Sequence, residues 1–198
     1  MQHLFCEKFN IFIISFYEHL FGDENMTVFQ DKIRIVPDFP KKGIEFYDIT
    51  TLIKDKQAFA EVIDLLYEKF KNYNLDYVVA IESRGYLFGA PLAYKLGCGL
   101  VIIRKPNKLP AKTERIEYGL EYGKDILEIH TDSIEAGKKV LIIDDLLATG
   151  GTIKAACSLV EKLQGHIKAL AFVVELKKLN GRKHLPQNLP IVSLLQAD

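Results

Sequence analysis

The reading of this chain turns on Val140-Leu141-Ile142-Ile143-Asp144-Asp145-Leu146-Leu147-Ala148-Thr149-Gly150-Gly151-Thr152. Residues 139–143 predict a buried strand. It ends at two adjacent carboxylates, Asp144 and Asp145, and a turn rich in Gly and Thr then opens a helix. Gly150 and Gly151 let the backbone approach an anion closely. The N–H groups at the helix start, with the hydroxyls of Thr149 and Thr152, can then surround a phosphate. No Lys follows the glycines, so this is not the loop that grips a nucleoside triphosphate, and no strand is followed by the GxGxxG dinucleotide fingerprint. Carboxylates beside a phosphate cradle would repel phosphate alone. They suit a ligand that also carries a sugar, because vicinal hydroxyls donate to acceptor-only carboxylates. A 5-phosphorylated ribose meets both requirements. An Asp-Asp pair by itself reads as an acidic strand end beside a helix cap; the whole run is what points to the ligand.

Outward from this run the chain alternates. Asp55 can cap a helix through about Lys71, with Phe59, Val62, Ile63, Leu66 and Phe70 recurring on one face. Residues 75–82 predict a buried strand and residues 86–96 a helix, which Pro91 is expected to kink or to shift at its start. A second core strand is expected over 99–104, a helix over 152–163, and further strands over 170–174 and 191–195. Such alternation with near-continuous apolar strands predicts an α/β fold: a Rossmann-like central parallel sheet flanked by helices. Ligands of such sheets bind beyond the carboxyl ends of the strands. Between Lys105 and Asp132 the pattern breaks at Pro106, Pro110, Gly119 and Gly123, and residues 124–130 then alternate polar and apolar. A loop followed by an added strand is expected there, and a connection of this length is usually functional or mobile.

The 198 residues, 22.5 kDa, fit one domain of ordinary size. Lys+Arg and Asp+Glu each number 26, so no basic excess exists to neutralise a nucleic-acid backbone, and no nucleic-acid partner is expected. Cys6, Cys98 and Cys157 are too widely spaced for a disulfide framework or a zinc motif, which predicts a reducing compartment and a cytoplasmic protein. His3, His19, His130, His166 and His184 lie far apart, without metal-ligand spacing. The apolar stretch 9–17 is far shorter than the roughly 20 residues of a membrane span. Glu7 and Lys8 precede it and no small-residue cleavage site follows, so neither a membrane partner nor a signal peptide is expected. Residues 1–25 are read as an N-terminal extension of unknown role, and residues 26–198 as the working domain.

Residues 144–152, DDLLATGGT, resemble the phosphoribosyl-pyrophosphate signature of the type I phosphoribosyltransferases, in the form found in members acting on adenine. The resemblance covers about Ile33 to the C-terminus. It implies the fold of that family, with a small N-terminal hood over about 33–50 and a mobile catalytic loop over about 105–124. It further implies phosphoribosyl binding by Asp144, Asp145, Ala148, Thr149, Gly150, Gly151 and Thr152. Residues 37–49, PDFPKKGIEFYDI, resemble the family's hood segment over adenine. By that resemblance the backbone of Glu45 and Tyr47 meets the base edge, Phe46 stacks on its face, and Leu146 also contacts the base. Many members carry Arg where this chain has Tyr47, so recognition there is expected through the main chain. Glu82-Ser83-Arg84-Gly85 matches the family's pyrophosphate loop, with a cis Glu82–Ser83 peptide and Arg84 reaching a phosphate. On the residues alone, Arg84 could equally pair with an acid. Arg104, Lys105 and Lys108 form a basic cluster suited to pyrophosphate, or equally a solvated basic loop. Leu120-Glu121-Tyr122-Gly123 resembles the mobile-loop element, and Glu121, Tyr122 and Arg84 form the implied catalytic set, with Glu121 near the purine N7. A homodimer is implied by the resemblance alone.

The reaction so implied is purine salvage: adenine and 5-phosphoribosyl 1-pyrophosphate give AMP and pyrophosphate. Breaking the bond from ribose C1 to pyrophosphate builds positive charge on the sugar, as in glycoside hydrolysis, and nearby carboxylates favour that charge. Lys105, Lys108, Arg84 and a Mg²⁺ cofactor would offset the charge of the departing pyrophosphate. Magnesium prefers oxygen ligands and several waters, so substrate oxygens are expected to supply most of its shell, with no direct protein ligand. Enzymes for 6-oxopurines commonly place Asp where this chain has Ala148, which turns the reading toward adenine. Two other readings stay open on the sequence: a transferase for xanthine, another purine or orotate, and a noncatalytic nucleotide sensor with the same fold. Neutral charge and the shortness of residues 1–25 count against the sensor, which would append a DNA-binding module.

Overall fold

The computed structural model of the chain describes residues 29–120 and 123–197 and, of residues 120, 123 and 124, the backbone only. Residues 1–25, Glu121 and Tyr122 therefore lie outside the described residues. The chain divides into two compact units, with the boundary between Glu61 and Val62.

In the first unit a short antiparallel pair joins β1 (Arg34–Val36) to β2 (Phe46–Asp48). Asp48 is buried, and its carboxylate accepts from Arg34 Nε at 3.0 Å and from the Thr50 amide at 2.8 Å. One side chain thus ties the strand pair to the start of α1 (Thr50–Lys54). Helix α2 (Lys56–Phe70) begins in this unit and ends in the next. Asp55 caps it as the sequence predicts: Oδ1 accepts from the Gln57 amide at 3.0 Å and the Ala58 amide at 3.1 Å.

The second unit is built on β3 (Tyr77–Ile81), α3 (Arg84–Leu96), β4 (Gly99–Ile103), β5 (Thr113–Leu120), β6 (Gly123–His130), β7 (Lys139–Leu147), α4 (Gly151–Lys162), β8 (His166–Leu176) and β9 (Ile191–Ala197). A five-stranded sheet has the order β4-β3-β7-β8-β9 with every pair parallel. Gly89 of α3 lies against Ala80 and Ile143. Ile153, Ala156, Leu159 and Val160 of α4 instead share a core with Val79, Ile81, Ile103 and Ile142. Successive strand residues point to opposite faces, so α3 and α4 cover the two sides of one sheet. Strands buried on both faces explain the unbroken apolar runs; each fully buried aliphatic side chain contributes about 1.5–3 kcal/mol.

Four expectations are corrected. Strand β7 continues past Ile143 through both aspartates to Leu147, because β8 offers partners as far as Leu147↔Glu175. Pairing across the sheet overrides the poor strand propensity of Asp. Strand β8 is correspondingly longer than 170–174. Helix α3 starts at Arg84, earlier than expected, and keeps Pro91 inside it. The break after β4 is not a loop with one added strand: β5 and β6 form an antiparallel ribbon from Thr113↔His130 to Leu120↔Gly123. Leu127 and Ile129 of that ribbon enter the same core as α4, which gives β5 a partner and an anchored base. Among the described residues no helix is long and apolar enough to cross a membrane.

Candidate active site

The segments that follow β4, β3 and β7 all leave the carboxyl end of the parallel sheet, where open α/β sheets take their ligands. After β7 the chain turns through Ala148 and Thr149 to Gly150, the N-cap of α4. Gly150 has φ +87° and ψ −4°, and a Cβ there would lie 2.6 Å from the Gly181 carbonyl oxygen. Only glycine meets both demands. The Lys154 amide bonds to Gly150 O at 3.0 Å, and no side chain caps the helix. The amides of Gly151, Thr152 and Ile153 thus have no acceptor within α4. They belong to residues that, with Asp144 and Leu146 to Gly150, line an open cleft.

Asp144 lines that cleft; Asp145 is buried, 3% exposed. Arg84 Nε lies 2.9 Å from Asp145 Oδ2, an ion pair too poorly aligned for a hydrogen bond. The Asp145 amide donates to Asp144 Oδ1 at 2.9 Å. Burial first, and then the adjacent Asp145 charge, push the Asp144 carboxyl well above the usual carboxylate range. Burial also raises Asp145, against the opposing pull of Arg84.

Beyond β3 and β4 a second cluster surrounds Glu82. Its carboxylate accepts from Lys108 Nζ at 2.6 Å, from Arg104 Nη2 at 3.2 Å and from the Lys105 amide at 2.9 Å. Burial would raise this group; its cationic and amide partners outweigh burial and hold it at about 2. The Glu82–Ser83 peptide is cis. Lys105 Nζ pairs with Asp125 of β6. Burial alone would lower the Lys105 ammonium, but Asp125 brings it above its ordinary value. Tyr118 Oη of β5 donates to Asp125 Oδ2 at 3.3 Å, and Thr152 Oγ1 donates to Tyr118 Oη at 3.4 Å. A continuous polar path therefore runs from the basic segment after β4, across the ribbon, to the first turn of α4.

Of the residues singled out in the sequence, Glu82, Ser83, Arg84, Arg104, Lys105, Lys108, Asp144, Asp145, Leu146, Ala148, Thr149, Gly150, Gly151 and Thr152 all fall at this end of the sheet. The cation whose partner was left open, Arg84, pairs with Asp145. Glu45, Phe46 and Tyr47 belong to the first unit, where Tyr47 is buried and Phe46 meets Phe39 edge-on with ring centroids 5.1 Å apart. The catalytic candidates Glu121 and Tyr122 lie outside the described residues. Sequence reasoning missed Tyr118, Asp125 and Glu128. Ile116, Tyr118 and Leu120 do alternate, and that was the available signal for β5; nothing local marks Asp125 or Glu128. Glu128 is 2% exposed, accepts the Asn107 amide at 3.1 Å, and pairs its own backbone with Arg104 in both directions. Among the described residues no group of three His, Cys, Asp or Glu side chains converges as a metal cage.

A family model described as a phosphoribosyl transferase domain matches residues 49–188. With the parallel sheet, the glycine-capped turn and the adjoining carboxylates, this places the chain in the class of type I phosphoribosyltransferases. Relatives narrow the class. The chain is 61% identical to the adenine phosphoribosyltransferase of Chloroflexus aurantiacus over 164 residues, 83% of this chain and 94% of that protein. Its fold matches the crystal structure of adenine phosphoribosyltransferase from Thermoanaerobacter pseudethanolicus with a TM-score of 0.84 at 50% identity, over 87% of this chain and 100% of the other. The enzyme from Saccharomyces cerevisiae, solved with adenine and an iminoaltritol bisphosphate, matches with a TM-score of 0.80 at 40% identity, over 86% and 98% of the two chains. The chain belongs to the adenine phosphoribosyltransferases, pentosyltransferases of purine salvage that convert adenine and 5-phosphoribosyl 1-pyrophosphate to AMP and pyrophosphate.

Proposed function

We propose that this chain carries out that transfer with its three strand-end segments in separate roles. The turn 148–152 holds the 5-phosphate on the free amides of Gly151, Thr152 and Ile153 and on the Thr149 and Thr152 hydroxyls. Asp144 and Asp145 accept the ribose 2- and 3-hydroxyls and favour the positive charge that develops on the ring. Arg84, Arg104, Lys105 and Lys108, with the Glu82–Ser83 segment, take the pyrophosphate. Glu45, Phe46 and Tyr47, with Leu146, take the adenine, chiefly through main chain and stacking. Glu121 acts near N7 of the base and Tyr122 beside it, so that N9 is the nucleophile toward C1. The geometry after β7 carries this reading: an uncapped helix start behind a left-handed Gly150, next to a partly exposed carboxylate, suits a ligand that is phosphate at one end and diol at the other.

Magnesium fits the donors present, which are oxygen ligands only. Oxygens of 5-phosphoribosyl 1-pyrophosphate would supply most of its shell, with no direct protein ligand and with Asp144 and Asp145 orienting the sugar hydroxyls beside it; when bound it would offset the charge of the pyrophosphate. The protein acts as a homodimer in the cytoplasm, a reading supported by family membership for the first and by the cysteine pattern for the second. A panel of bases assayed with 5-phosphoribosyl 1-pyrophosphate tests the reading. Adenine should be turned over with kcat/KM at least about 100-fold above hypoxanthine, guanine, xanthine or orotate, since a mismatched base leaves buried polar groups unpaired. Removing Mg²⁺ with a chelator should abolish turnover and adding it back should restore it. Absence of adenine turnover, or preference for another base, would overturn the assignment.

A further inference from the structure

The turn that cradles phosphate does not stand alone; it rests on another turn, which follows the neighbouring strand β8. Between β8 and β9 the chain makes a short 3-10 turn, Gly181–His184. Its first residue meets the phosphate turn backbone to backbone. A Cβ on Gly150 would lie 2.6 Å from Gly181 O, and a Cβ on Gly181 would overlap Ala148 O. The two glycines thus face each other with no room for a side chain on either. Next to Gly181, each nitrogen of the Arg182 guanidinium has a partner. Its Nε donates to Glu175 Oε1 at 2.6 Å and its Nη2 to Glu175 Oε2 at 2.6 Å, the two-pronged geometry of a strong charge-assisted pair. Its Nη1 donates to Ile191 O at 3.2 Å, and Nη2 also reaches Ser193 Oγ at 3.2 Å. Glu175 is 5% exposed, at the end of β8 where it pairs with Leu147, the residue before the phosphate turn.

We infer that Arg182 is a positioning residue for the phosphate turn: by locking the Gly181 turn to β8 and β9, it fixes the surface on which the backbone of Ala148 to Gly150 is laid. The inference rests on the proposed role of that turn in binding the 5-phosphate. It deepens that role by naming what holds the amides in place. Arg182 touches no substrate group in this account, and its effect should be confined to one end of the substrate. The pyrophosphate segments leave β3 and β4, on the opposite side of β7 from β8 and β9.

Calorimetric titration of the full chain with ribose 5-phosphate and, separately, with pyrophosphate tests this. Arg182→Met should weaken ribose 5-phosphate about tenfold, the size expected for losing hydrogen bonds to a charged group, while pyrophosphate affinity stays at its wild-type value. In turnover the KM for 5-phosphoribosyl 1-pyrophosphate should rise while kcat at saturation changes little. Arg182→Lys keeps the charge without the two-pronged bond and should fall between wild type and Met. Ser193→Ala, which removes one peripheral bond, provides a variant that folds if the others do not, and should weaken ribose 5-phosphate about twofold. Unchanged ribose 5-phosphate affinity in a folded Arg182 variant, or in Ser193→Ala where neither Arg182 variant folds, would overturn the inference. So would an equal loss of both ligands, which marks general loosening. Failure of the wild-type protein itself to bind ribose 5-phosphate would instead overturn the assignment of the phosphate turn, and this inference with it.

Discussion

Asp144 and Asp145 sit side by side where burial opposes the charge of each, and Asp145 has a guanidinium, Arg84, at 2.9 Å. Neighbouring carboxylates whose burial favours the proton need a partner to remain anionic, and hydroxyl donors from a sugar supply one alongside Arg84. Asp145→Asn should therefore raise the KM for 5-phosphoribosyl 1-pyrophosphate about 10- to 100-fold, in line with hydrogen bonds to charged groups, and should change the KM for adenine much less. A wild-type KM for the sugar substrate would contradict the assigned role. Glu82 is the opposite case: three donors hold it at about 2, below its usual 4.5. Because the folded value is the lower one, its stabilisation is complete above about pH 4.5 and is lost as the pH falls through about 2. Melting temperatures of wild type and Glu82→Gln should differ most near neutral pH and converge below pH 4.5; a gap independent of pH would contradict the ion-pair account. The two aspartates, the Gly-Thr turn and the basic cluster were legible in the sequence because each lies within one short run. Glu175 and Arg182 were not, because a carboxylate at a strand end and an arginine in a later turn acquire meaning only when β8, β9 and the phosphate turn are laid together.

At the scale of elements, α4 and the core strands were read from periodicity, and the errors fell where pairing, not propensity, decides. The sequence ends the strand at Asp144 and Asp145, yet residues 144–147 run on as strand because Phe172 to Glu175 lie beside them. Residues 113–120 read as loop because Pro106, Pro110 and Gly119 punctuate the neighbourhood, although Ile116 and Tyr118 alternate and pack against the core. The ribbon matters to the site through Glu128 as well as Asp125. Glu128 takes the amide of Asn107, a residue at φ +63°, and so holds the bend between Lys105 and Lys108. Its other oxygen lies 3.2 Å from Arg115 Nη2 without an aligned hydrogen bond. Glu128→Ala should destabilise the fold by about 1–3 kcal/mol, the cost of leaving a buried amide unpaired, and should weaken pyrophosphate binding. Glu128→Gln keeps an acceptor for Asn107 and should retain most of both. Urea unfolding and pyrophosphate titration read the two effects; an Ala variant as stable as wild type would remove the role given to Glu128.

At the scale of the molecule, zero net charge counted only against a nucleic-acid binder; the run 140–152 pointed to a phosphorylated sugar as ligand, and the family match agrees with that. The alternating strand and helix order gave the parallel sheet; the division at Glu61 was not visible, since α2 runs through it without a break in its apolar face. The base-contacting candidates Glu45, Phe46 and Tyr47 belong to the first unit and the sugar- and phosphate-contacting ones to the second. For the homodimer, sedimentation equilibrium should give roughly 45 kDa, twice the 22.5 kDa of the chain; a mass near that of one chain across the micromolar range would contradict it. The account as a whole stands on where the nucleotide product sits. A crystal structure with AMP should show the 5-phosphate on the amides of Gly151 to Ile153 and the ribose hydroxyls on Asp144 and Asp145; AMP bound with its phosphate elsewhere, or with its sugar away from both aspartates, would contradict it.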